Sequence, residues 1–128
     1  MELNVLAGLA QVALVALLIV THRRILAGYT IPMTLLAGGM LAGWSWAIVA
    51  AAVLASVFVL NHVLEWWVPY LTGWAPEGVA LPQGRGPVVV PRRPGRPTPD
   101  LGHVSLGATA LVVLSLAWVA VGALPAPV

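Results

Sequence analysis

Histidine and carboxylate side chains recur three residues apart at two places in the chain, His62 with Glu65 and Asp100 with His103. Positions three apart on a helix share a face, so each pair can offer an imidazole and a carboxyl to one point. Side by side, these groups pass protons near neutral pH. Glu65 and His62 are the candidate acid–base pair, with Asp100 and His103 orienting the partner group. Trp66 and Trp67 are candidates to line a pocket for a lipophilic substrate, and Asn61, Gln11 and His22 to supply its polar wall.

The same donors support other chemistry. Two His and two carboxylates from facing helices can hold zinc or non-haem iron. His62, Glu65, Asp100 and His103 would be the ligands, with Asn61 or His22 completing the shell, although carboxylate-bridged two-metal sites use more ligands than this. Bis-His haem ligation would pair His62 or His22 with His103. A structural reading needs no ligand: Asp100 as a helix N-cap, Glu65 paired with Arg93 or Arg96, and the three His as interfacial anchors. The sequence specifies no cofactor. It has no cysteine, Gly-rich phosphate loop, nucleophile elbow or His-Glu-x-x-His motif, which excludes thiol chemistry and c-type haem attachment and leaves no serine marked as a nucleophile.

The elements that position these residues are membrane helices. The 128 residues are 60% hydrophobic and 8% charged, far from the soluble balance of about one quarter charged. An all-α integral membrane protein with one domain over 1–128 is expected, located in the cell membrane as a multi-pass chain. All six basic residues are Arg and flank apolar segments, so they read as orientation signals and not as a nucleic-acid surface. The first apolar block has its positive charge after it, at His22-Arg23-Arg24. That is the reverse of a secretory signal, and the block is expected to stay as a helix.

Four spans are expected, at about 3–21, 25–42, 45–68 and 103–124. The stretch from Ile25 to Pro69 would exceed 60 Å as one helix, roughly twice the hydrocarbon core, and must fold back. The break falls at Leu41-Ala42-Gly43-Trp44-Ser45-Trp46, where Gly ends a helix and Ser45 caps the next. Pro32 predicts a kink in the second span or a later start near Ile31. Pro-, Gly- and Arg-rich sequence over 71–100 predicts an irregular connection.

Four spans put both Arg-bearing connections on one side, which the positive-inside rule makes cytoplasmic with both termini outside. Three spans would split the Arg clusters and need an overlong helix. In this topology His22, His62, Glu65, Asp100 and His103 all reach the cytoplasmic face. Trp66, Trp67, Tyr70 and Trp74 form an inner belt, with Trp44, Trp46 and Trp118 toward the outer half. Ala51, Ala52, Ala55 and Ser56 form a small-residue stripe that turns His62 toward the bundle, and Gly38-Gly39 with Ala42-Gly43 predicts close helix packing. The run Arg92-Arg93-Pro94-Gly95-Arg96 sets topology and secondarily suits anionic headgroups.

The expectation is a four-helix membrane bundle with a cytoplasm-facing polar site performing acid–base chemistry on a lipophilic substrate. The rival is a noncatalytic accessory subunit packed against larger membrane proteins or a second copy of itself, and a metal- or haem-binding subunit is a further alternative.

Overall fold

The structure, a computed structural model, describes residues 2–22, 27–75 and 84–125, with the backbone alone of His22 and Ala27. The Arg23-Arg24 connection, the His22 side chain and the middle of the long connection thus lie outside the described residues.

Regular structure is helical: α1 (Leu3–His22), α2 (Ala27–Leu41), α3 (Ser45–His62), a π-helical turn (Val63–Trp67), α4 (Val68–Thr72) and α5 (Leu101–Gly122). Three runs are long and apolar enough to cross a membrane, Leu3–Thr21, Ser45–Thr72 and Leu101–Gly122. Helix α2, with 15 residues, extends about 22 Å against a hydrocarbon core of roughly 30 Å. It passes through Pro32 without ending. Pro32 stands in the second turn, where its missing N–H leaves only the Gly28 carbonyl of the first turn without its usual donor.

Helix α1 packs on α2 and α5, and α3 packs on the same two helices. Their directions alternate. At one end Asn4 Nδ2–H donates to the Met40 carbonyl, 3.2 Å away, joining the start of α1 to the end of α2. At the other, Thr21 of α1 lies against Gly102 at the start of α5, and the Tyr29 ring meets Phe58 edge-on at 5.1 Å.

The core has two layers. Ala7, Met40, Ile48, Ala51, Ala52, Ala117 and Ala120 form one; Leu14, Leu18, Met33, Ala55, Phe58, Leu106, Ala110 and Val113 form the other. Ala47, Ala51, Ala52 and Ala55 of α3 are fully buried, and their small side chains let the helix backbones approach.

The fold-back falls at Gly43, whose φ of 76° is left-handed, a conformation glycine adopts without steric cost. Ser45 does not cap α3. Trp44 occupies the N-cap with extended backbone and no side-chain cap bond, so Ser45 becomes the first helical residue. A side chain on Gly39 would put its Cβ 2.5 Å from the Cβ of Ala47, so the close packing expected of the Gly38-Gly39 pair is found at Gly39 and not at Gly38.

The third apolar run extends past the expected end at Val68 to Thr72, where Gly73 terminates it with φ 77°. The connection then docks on this helix end. Arg96 Nη1–H donates to the carbonyls of Tyr70 at 3.1 Å and Leu71 at 2.6 Å. Arg93 donates to Leu71 at 3.3 Å and lies 4.9 Å over the Tyr70 ring, and the Tyr70 hydroxyl donates to the Pro91 carbonyl at 3.0 Å. The expected pairing of Glu65 with Arg93 or Arg96 is therefore replaced: both guanidiniums turn to carbonyls that have lost their helical donors and carry the negative end of the helix dipole.

Arg96→Ala is expected to lower stability in detergent by about 1–2 kcal/mol and to speed tryptic cleavage after Arg92, the bond Arg93–Pro94 being resistant to trypsin. Unchanged cleavage kinetics would show that the clamp does not hold the connection.

Candidate functional site

Three of the five polar residues expected at one end of the bundle come together: His62, Asp100 and His103. All three are buried. Asp100 is the N-cap of α5 with extended backbone, and its Oδ1 accepts from the His103 backbone N–H at 3.0 Å. The same oxygen accepts from His103 Nδ1–H at 2.7 Å, and Oδ2 accepts from the Gly86 N–H at 2.7 Å. One side chain thus starts α5, fixes an imidazole and draws the connection back over the helix end, where Val88 bridges antiparallel to Asp100.

Burial alone would raise the Asp100 carboxyl, but the N–H groups of His103 and Gly86 outweigh it and hold the pKa at about 2, below the ordinary 3.8. The group is therefore a carboxylate that can only accept, so Nδ1 of His103 carries the hydrogen.

His62 reaches α5 from α3. Its Nε2 lies 3.1 Å from the His103 carbonyl, which can only accept, so Nε2 is the protonated nitrogen. The approach depends on Gly107, one turn beyond His103: a Cβ there would lie 2.9 Å from His62 Nε2. The rings form a column, with Phe58 to His62 at 6.2 Å, His62 to His103 at 6.5 Å and His103 to Trp66 at 3.8 Å between centroids. Trp66 is buried over His103 and joins the column directly, where a pocket lining was expected.

Glu65 does not join this group; it is exposed, as is Asn61. The shared face expected for His62 and Glu65 presumes α-helical spacing, and the chain between them enters the π turn Val63–Trp67. Its wider i→i+5 winding carries the third residue away from the His62 face and returns the fourth, Trp66, to the interior. The metal set thereby loses a ligand: no three His, Asp or Glu side chains converge for a metal among the described residues. Haem ligation between His62 and His103 is also unsupported, because their rings are 8° from parallel and stacked, presenting faces to each other where axial ligands must aim nitrogens at an iron.

Beside His62, α3 and α5 diverge into a groove of about 230 Å³ lined by Val59, Val63, Trp67, Val104, Ala108 and Leu111. His62 is the titratable side chain on this apolar surface. Val63, Ala108 and Leu111 are exposed, so the groove opens on the outer flank of the bundle. Gln11 lies elsewhere, on the buried face of α1 between Ala7 of one core layer and Leu14 of the other. Its amide meets no protein partner among the described residues. Of the expected pocket-lining residues Trp67 borders the groove; sequence reasoning missed Gly107 and the other groove walls, for which a glycine one turn after His103 in an otherwise Leu-, Val- and Ala-rich helix was the available signal.

No known protein family, curated protein or solved structure matches the chain.

Gly107→Ala should displace the His62 ring and destabilise the protein by roughly 1–3 kcal/mol, as overpacking does. Gly38→Ala, where a Cβ meets nothing within 4 Å, should be neutral or slightly stabilising. Equal thermal midpoints for the two variants would contradict the close approach. Because the Asp100 pKa is lowered on folding, its contribution is complete above the ordinary carboxyl range and is lost as pH falls from about 4 through about 2. Asp100→Asn should flatten stability measured across that window.

Proposed function

We propose that the chain is a four-span integral membrane protein that takes a lipophilic molecule into the groove between α3 and α5, with His62 exchanging a proton with the molecule's polar group. The observation that carries the reading is a histidine set in an otherwise apolar groove that opens on the flank of the bundle. Apolar pockets with one or a few convergent polar groups are the common form of small-molecule sites. Asp100 and His103 then serve as the positioning pair, since the His103 carbonyl receives His62 Nε2–H and Asp100 fixes the turn that carries that carbonyl.

Four crossings are supported by the alternation of helix direction and by α2 lying alongside both α1 and α3. Its shortfall of several ångströms is within what bilayer thinning and flanking residues accommodate. The Arg-rich connection is assigned to the cytoplasmic side by the positive-inside rule.

Native mass spectrometry of the protein extracted in mild detergent should find a retained lipophilic molecule. Ala108→Trp, which fills the groove from its exposed rim, should reduce retention at least tenfold while helix content stays unchanged. His62→Ala should keep the fold but weaken binding of a ligand bearing a polar group more than that of a plain hydrocarbon chain. Full retention by Ala108→Trp would refute the site, and a stoichiometric protein partner covering the groove would favour the accessory-subunit reading.

A further inference from the structure

The described part of the connection encloses a second hollow, of about 480 Å³, bounded by Gly84, Val88, Arg92, Arg93, Pro94 and Thr98. Two arginines line it, and neither pairs with a carboxylate among the described residues. Arg93 is steadied by the Leu71 carbonyl and the Tyr70 ring. Arg92 is exposed and has no hydrogen bond or ion pair there. The nearby carboxylate is already committed, because Asp100 is saturated by the N–H groups of His103 and Gly86. The hollow therefore carries positive charge without a counter-charge among the described residues.

Its wall is also preorganised. The Arg96 N–H donates to the Arg93 carbonyl at 3.2 Å, closing a turn with Pro94 second and Gly95 third. Gly95 has φ 67°, the arrangement that proline and glycine favour at those positions. This turn sends Arg96 onto the end of α4 while Arg92 and Arg93 border the hollow. Thr98 adds a hydroxyl to the wall. Arginine's planar donor fork suits phosphate oxygens in paired contacts. The docking of Arg93 on the last turn of the long apolar run Ser45–Thr72 puts the hollow at the end of a candidate span, the depth of lipid phosphates if that run crosses a bilayer.

We infer that Arg92 and Arg93 form a phosphate-binding site in the connection, taking either the phosphate of an anionic lipid headgroup or free phosphate. The site is independent of the His62 groove and shares no residue with it.

The test uses the full chain in neutral detergent, titrated with phosphatidic acid, phosphatidylglycerol or phosphatidylcholine and followed by native mass spectrometry, each with and without millimolar inorganic phosphate. Anionic lipids are expected to bind in preference to phosphatidylcholine, and Arg92→Gln/Arg93→Gln to cut that preference roughly tenfold. Retention unaffected by inorganic phosphate identifies the lipid headgroup as the source, and displacement by it identifies free phosphate. Single Arg92→Gln is compared with Arg85→Gln, which removes the same charge from an exposed residue of the connection that does not border the hollow. Equal losses in these two variants would show diffuse surface attraction and overturn the site. So would the absence of both lipid preference and phosphate binding in the unmodified chain.

Discussion

The carboxylate of Asp100 has two oxygens and receives three N–H groups, and the loop-side end of the bundle is organised around that arrangement. One donor is the first-turn backbone of α5, which would otherwise be an orphan at a buried helix start. The second is the His103 ring, and the third is the backbone of Gly86. Withdrawing the carboxylate would therefore uncap a helix, free an imidazole and detach the connection together. His62 depends on it at one remove, because the carbonyl that holds its Nε2–H belongs to the residue Asp100 caps. Such a saturated cluster can be buried at tolerable cost, since every polar atom of the carboxylate has a donor.

The connection is secured at its other side by a different use of the same physics. Helix α4 ends with carbonyls lacking helical donors, and Arg96 and Arg93 supply them. The described part of a segment too rich in proline to form its own ladder is thus held by the two helix ends it joins, through a carboxylate at an N-terminus and guanidiniums at a C-terminus. Both follow the sign of the helix dipole. Within the bundle the balance is different. Alanine layers bring the helices close, and Gln11 interrupts the apolar core between them with an amide that, like the Thr21 hydroxyl, is not answered by a protein group among the described residues.

Much of this was legible in the sequence where a residue type has a single physical use. Gly43 marks the fold-back because a left-handed turn favours glycine, Asp100 reads as a cap because it is a capping residue type directly before an apolar run, and the Ala51, Ala52 and Ala55 stripe identifies the buried face of α3. Legibility failed where a regular period was presumed. The spacing of His62 and Glu65 implies one face only if the helix stays α-helical, and the π turn at Val63–Trp67 moves Glu65 outward while keeping Trp66 inside. It failed again where charge pairing was sought between side chains alone. The arginines are answered by main-chain carbonyls, which no search for carboxylates reveals. Ser45 misled for a related reason: a good capping residue does not fix which of two neighbouring positions the helix starts from.

The two stacked imidazoles consequently differ in what they are free to do. The Nδ1–H and backbone N–H of His103 both belong to Asp100, and its ring lies under Trp66, so losing Nδ1–H would turn a bare ring nitrogen toward the carboxylate oxygen that caps α5. His62 is tied to the α5 backbone through Nε2–H, and it borders the groove. A proton gained by His62 must go to Nδ1, because Nε2 already carries one, and the cationic ring keeps both nitrogens as donors. The bond to the His103 carbonyl survives that change of charge. Proton exchange at His62 is thus compatible with an intact α3–α5 contact, whereas proton loss from Nδ1 of His103 would cost that ring its bond to Asp100. Under the proposed reading, the chemistry falls to the imidazole at the groove, and the carboxylate–imidazole pair, which by residue type looks the more catalytic of the two, supplies its support.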